Sequence, residues 1–186
     1  MQVTEAIAGR RSVRAYKDDP VADDVLRRLV DAAVLAPNAV NKQPWSFAII
    51  TDAQLLTRIS DESKAHMLAT AGEGREAKHF HAHLVDPAFH MFYKAPALVV
   101  ISAQAASAWI VEDCALAAEN LMLTAHAEGL GTCWIGFAQS YLGTAAGKSM
   151  ISAPATHVPV APIIVGWPQT APSPVPQNTS EICWII

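Results

Sequence analysis

Two rhythms of apolar positions run along the chain. After Pro20, Val25, Leu26, Leu29, Val30 and Ala33 repeat at about 3.6 residues, and Asp23 and Asp24 fall in the first turn, where the helix dipole favours acids. This predicts an amphipathic helix that Pro37 stops. Val3 and Ile7, with Ala6, show helical spacing ahead of Gly9 and a basic cluster. AQLLTRISDESK, from Ala53, reads as another helix. Short unbroken apolar runs in SFAIIT, in APALVVISA from Ala95 and in APIIVGW predict buried strands. TCWIGF reads as a strand or an extended loop. The run from Val111 to Ala127 is apolar on nearly every side, which predicts a helix buried centrally or in a subunit interface. Gly129 and Gly131 end it in the manner of a C-cap. The stretch from Ala65 to Tyr93, rich in His, Ala and Gly, predicts helical pieces that form a cap.

Beyond Pro168, TAPSPVPQNTS is a proline-rich extended arm that ends in EICWII, which is apolar and strand-like. Two destinations are open to that end: its own sheet or a second subunit. Helices and strands follow in mixed order, which predicts an α+β domain with one sheet and helices around it. The 186 residues fit one domain, 1–186.

Composition adds an oligomeric lean. The apolar fraction is 52% and the charged fraction only 16%, so some apolar surface needs a covering partner, most plainly a second copy. A net charge of −4 argues against nucleic acid and anionic membrane as partners. Cys114, Cys133 and Cys183 are far apart and odd in number, which fits reduced thiols in a cytoplasmic protein, with all three structural. The N-terminus lacks the apolar core of a signal peptide, and no segment is long and apolar enough for a membrane span.

Three stretches carry candidate chemistry. RRSVR places Arg10, Arg11, Ser12 and Arg14 together near a helix end. Guanidinium forks and a hydroxyl match phosphate oxygens, while a solvated basic helix end is the plainer alternative. APNAVNKQPW sets Asn38, Asn41 and Gln43 between two prolines. Side-chain amides match the alternating donors and acceptors on a heteroaromatic edge, and they also serve turns. GLGTCWIG offers glycines that let backbone approach a flat ligand, or that simply cap a helix. His79 and His83 share the spacing of a metal pair, but no carboxylate or thiol accompanies them, and no metal is expected.

RRSVRAY, then APNAVNKQPWSF, then the apolar helix into GLGTCWIGF, then PIIVGWP, follow one another over most of the chain. In this order they resemble the nitroreductase family of FMN-dependent oxidoreductases. The resemblance implies a nitroreductase-like α+β fold with one mainly antiparallel sheet flanked by helices. It implies a homodimer with FMN at the subunit interface, a variable lid at about 65–93, and a C-terminal arm, about 168–186, that extends to the partner. Arg10, Ser12 and Arg14, with Arg11, would hold the phosphate and ribityl side of FMN. Asn41, with Gln43, would read the isoalloxazine edge, and Pro37, Asn38 and Ala39 would contact the flavin from the other subunit. Trp134, Ile135 and Gly136 would lie along the ring with a backbone N–H near N5.

The family's chemistry is a ping-pong hydride transfer from NADH or NADPH to nitroaromatic, quinone or related acceptors. It requires no acid or nucleophile from a side chain, so no catalytic residue is expected. His81, Phe89, His90 and Phe92 fall in the lid and are the candidate substrate contacts. A specialised flavin enzyme (one that consumes reduced flavin, or a dehydrogenase) and a non-catalytic FMN-binding protein are the alternatives. One departure stands out: where relatives carry a basic tail residue toward the phosphate, this chain has Pro176, Gln177 and Asn178. A neutral Gln177 cannot make that charged contact. Either FMN is held more weakly or the N-terminal arginines suffice.

Overall fold

The apolar runs SFAIIT, APALVVISA, TCWIGF and APIIVGW pair in one sheet in the computed structural model, which describes residues 1–70, 81–105 and 108–186. His79 and the middle of the expected lid lie outside the described residues. Strands β1 (Trp45–Ile50), β2 (Ala97–Gln104), β3 (Gly131–Trp134) and β4 (His157–Gly166) lie in the order β1-β2-β4-β3, with every neighbouring pair antiparallel. β2 and β4 are central and covered on both faces, which is why neither alternates apolar with polar residues. β4 begins well before APIIVGW and takes in Pro159 and Pro162. Prolines cannot donate to a ladder; the register slips between Ile101 and Ser102 of β2, opposite Ala161 and Pro159, so Pro159 sits at the irregularity, whereas Pro162 lies just past the end of the β3 pairing at Ile163.

Two helical layers sandwich the sheet. Helices α2 (Asp23–Ala33) and α4 (Ile110–Ala127) cover one face, where Leu26, Leu29, Leu121 and Ala125 meet Val99 and Ile163. Helices α3 (Ala53–Thr70) and α5 (Gly136–Leu142) cover the other, where Ile59 and Leu142 meet Leu98 and Ile164. Each such side chain stabilises the fold by about 1.5–3 kcal/mol relative to exposure. α6 (Ala145–Met150) packs beside α5, and α1 (Val3–Gly9) lies against α4.

The structure departs from the sequence pattern in four places. α2 ends at Ala33, and a turn over Val34–Ala36 separates it from Pro37. α3 runs on to Thr70, beyond the stretch read as helical. In α1 only Ala6 is buried, while Val3 and Ile7 face outward. EICWII forms no strand: residues 171–186 have no regular secondary structure and are exposed, and Cys183, expected to be structural, is exposed with them. α4 is helical as expected and buries Cys114, Ala117, Ala118 and Leu121, yet Val111 and Leu116 on its outer side are exposed.

Candidate functional site

α1 stops at Gly9, where any Cβ would stand 2.6 Å from the His126 ring nitrogen Nε2. The chain then runs beside β3. Val13 N donates to Thr132 O at 2.9 Å, and Val13 packs so closely on Gly131 that a Cβ there would lie 2.7 Å from its Cγ2. Val13 is thus buried, while Ser12 and Arg14 stay exposed. Arg10, Ser12 and Arg14 all act on Cys133 of β3. Burial pushes that thiol's pKa up; the Arg14 charge, a hydrogen bond from Ser12 and the Arg10 charge pull it partly back. Ser12 bridges to Thr132, so the segment from Arg10 to Arg14 runs beside the strand that Trp134 ends. The Tyr16 hydroxyl donates to Val13 O at 2.7 Å; burial pushes its pKa strongly up, with Cys133 and Tyr93 adding and Arg14 opposing.

Arg11 is turned elsewhere. Its Nη1 donates to Ala8 O and Arg10 O, both at 2.7 Å, so it caps the carbonyl end of α1. Its Nε is buried without a partner among the described residues. Arg10 lies 3.5 Å from Glu119 of α4, and Arg14 has no ion pair among the described residues.

The 37–43 loop realises the turn alternative without excluding the binding one. Asn38 Oδ1 accepts from Gln43 N at 2.8 Å, and Gln43 Nε2 donates to Asn41 Oδ1 at 3.1 Å. Asn41 and Gln43 are nevertheless exposed. Val40, Asn41 and Gln43 all have positive φ, at 47, 52 and 49°. Left-handed backbone is costly for a β-branched residue, so surrounding structure must hold it. That support includes a residue the motif search missed. Asp113 of α4, 3% exposed, accepts from Ala39 N through Oδ1 at 2.9 Å. Its backbone carbonyl accepts from Trp45 Nε1 at 2.9 Å. The available signal was its spacing: of the acids in α4, Asp113 is the one set four and eight residues before Ala117 and Leu121, on the buried face, unlike Glu112 and Glu119.

Trp134 ends β3, and Ile135 is buried with its N–H donated to Pro162 O at 2.8 Å. Ile135 therefore has no free N–H for a ligand. Gly136 opens α5, is exposed, and has open space beside its Cα. These residues adjoin the Arg10–Arg14 cluster through Cys133. The 37–43 loop does not: it hangs from the first turns of α4, whereas Gly9 meets His126 in the last. Thirteen residues of helix between Asp113 and His126 span about 20 Å. The loop makes no hydrogen bond to 10–14 or 134–136. One chain carries both halves of the predicted site but does not join them.

The four lid candidates separate too. Phe92 is fully buried among Met91, Leu98 and Ile59, so it is core and no substrate contact. His81 is exposed at the start of helical residues 81–85. Phe89 and His90 line a cavity of about 730 Å³ with Asp18, Lys64, Lys94 and Pro96, and none of residues 10–14 or 134–136 borders it. His90 Nδ1 accepts from Phe92 N at 3.2 Å and stabilises a turn in which Tyr93 and Lys94 are left-handed. Burial lowers its pKa, Asp61 opposes this, and Lys64 and Lys94 add to it. Among the described residues no three His, Cys, Asp or Glu side chains are grouped to hold a metal. No described helix is long and apolar enough to cross a membrane.

Known proteins share this fold. A protein of Methanothermobacter thermautotrophicus with the provisional name NADH dehydrogenase/NAD(P)H nitroreductase is 28% identical over 176 residues, covering 92% of this chain and 80% of the relative. The 5,6-dimethylbenzimidazole synthase of Rhodospirillum rubrum is 29% identical over 181 residues, covering 90% and 82%. A solved structure of a Bacteroides fragilis nitroreductase with bound FMN superposes with a TM-score of 0.83 at 24% identity, covering 100% of this chain and 98% of that one. The model of the nitroreductase family matches residues 7–167, which take in the arginine cluster, the amide loop and the β3–α5 turn. With the four-stranded antiparallel sheet between helices, this match makes the chain a member of the nitroreductase family.

Proposed function

We propose that the protein is an FMN-dependent oxidoreductase that uses NADH or NADPH to reduce nitroaromatic, quinone or related acceptors. The observation that carries this reading is the segment Arg10–Arg14 laid against β3, with Ser12 bridged to Thr132 and Val13 N donating to Thr132 O at 2.9 Å, just ahead of Trp134 and Gly136. In a chain of net charge −4, Arg10 pairs with Glu119, and Arg14 has no carboxylate in reach among the described residues. Such a surplus of positive charge fits a phosphate, and the open approach at Gly136 fits a flat ring. Arg10, Ser12 and Arg14 would hold the phosphate, with Trp134 and Gly136 along the ring. When bound, FMN supplies the hydride chemistry, with reductant and acceptor occupying one pocket in turn. The chain's own contribution is to bind, orient and shield, and Arg14 places positive charge near the cofactor.

The separation of the amide loop from the arginine cluster supports a homodimer. Pro37, Asn38 and Ala39 of the partner subunit would complete each site, and Asn41 and Gln43 would come with them because they are tied to Asn38. The exposed arm, with Trp184, Ile185 and Ile186 at its end, would extend to that partner.

The test is the visible spectrum of the purified protein before and after NADH or NADPH is added without air. Flavin absorption that bleaches supports the reading. A protein that is colourless and takes up no added FMN refutes it. Similarity to the dimethylbenzimidazole synthase favours a second reading, a specialised flavin enzyme of the same family. Its mark would be a flavin-loaded protein that turns over nitro compounds and quinones poorly with reduced nicotinamide. An FMN-binding protein without turnover would leave the nicotinamide unoxidised with every acceptor.

A further inference from the structure

We propose that Asp113 is the positioning residue of the amide loop: it imposes from α4 the strained conformation in which Asn41 and Gln43 are presented to the cofactor. This rests on the flavin reading and deepens it.

Asp113 holds both ends of the loop from one turn of helix. Oδ1 takes the Ala39 N–H at 2.9 Å, just before the left-handed run begins. The Asp113 carbonyl takes the Trp45 indole N–H at 2.9 Å, just after it ends. Between these anchors stand three residues whose φ of 47, 52 and 49° L side chains rarely adopt. The internal bonds from Gln43 to Asn38 and Asn41 tie the loop to itself but not to the rest of the molecule. The side-chain link from the loop's Ala39 to the fold is the carboxylate. Asp113 is buried at 3% exposure, and its Oδ2 has no partner among the described residues. A group that served packing alone would be apolar at this place, because a buried unpaired oxygen is costly.

The variants separate positioning from packing. Asp113→Leu keeps the branching of the side chain and removes the unpaired oxygen, but its two methyl groups are bulkier than two oxygens, so urea unfolding accompanies it to separate overpacking from loss of the pin. Asp113→Asn keeps an oxygen for the Ala39 N–H. Adding Val40→Gly to Asp113→Leu relieves the left-handed strain, since glycine adopts positive φ freely.

Two readouts are taken: FMN affinity by fluorescence titration, and hydrogen exchange of the Ala39 amide, which needs no cofactor. Asp113→Leu is expected to weaken FMN about tenfold or more and to expose the Ala39 amide to exchange. Asp113→Asn should restore most of both, and Val40→Gly should recover part of the affinity in the Leu background. Unchanged FMN affinity, or an Ala39 amide that stays protected in Asp113→Leu, overturns the proposal. If the parent protein itself binds no FMN, the flavin reading fails separately; the role in holding the loop then stands or falls on the exchange of Ala39.

Discussion

At the scale of single residues, charge and burial sort the candidates differently. Arg10 and Arg14 are the proposed phosphate contacts, so the double variant Arg10→Ala, Arg14→Ala should lose about 1.5–3 kcal/mol of FMN binding per contact. A fluorescence titration measures this, and an unchanged Kd would remove the phosphate from these side chains. Phe92 belongs to the core instead. Phe92→Ala should cost about 3–5 kcal/mol in urea unfolding. A variant that stays fully stable while its acceptor KM rises would return Phe92 to the pocket. His90 is a pH-sensitive support. Its folded pKa is lowered, so above the unfolded value of about 6.5 it is neutral in both states and its stabilisation is fully present. As pH falls through that value the unfolded chain binds the proton first, and stability drops until the folded pKa is passed. His90→Asn, which keeps an acceptor, should flatten this slope in unfolding curves taken between about pH 7.5 and 5.5. Equal slopes would show that the turn over Tyr93 and Lys94 does not depend on His90.

At the scale of elements, local period and long-range pairing contribute separately. The rhythm of α2 and the apolar runs of β1, β2 and β4 were legible because side-chain direction repeats along a helix or strand whatever lies around it. The start of β4 was not, because Pro159 reads locally as a breaker, and only the pairing with β2, whose register slips beside it, shows that the strand continues through it. The basic cluster was legible as a group. That Arg11 leaves it to cap α1 depended on where Gly9 meets α4. The contact of the 10–14 segment with β3 rests on one glycine. Gly131→Ala forces a Cβ into Val13 and should cost about 1–3 kcal/mol, with FMN binding weakened as Arg14 shifts. Chemical denaturation and an FMN titration check this, and a variant unchanged in both would show that Val13 moves aside freely.

At the scale of the whole molecule, the amide loop is tied to the first turn of α4, while the chain at Gly9 and Arg10 meets its later turns at His126 and Glu119. Apolar side chains at Val111, Leu116, Trp184, Ile185 and Ile186 stay exposed in the single chain. Removing residues 171–186 should shift a dimer toward monomer and lower FMN content, as read by sedimentation and absorbance together. A truncated chain that stays dimeric with full flavin would take the arm out of the assembly. Residue order alone was enough for the α+β class, most helices and strands, and the motifs that mark the family, because those depend on neighbours a few positions apart. It could not show that Phe92 is core, that Arg11 is a cap, or that Asp113 holds Ala39 across 74 positions of sequence. Those depend on which distant segments meet, and burial, strain and unpaired oxygens exist only once the chain has packed.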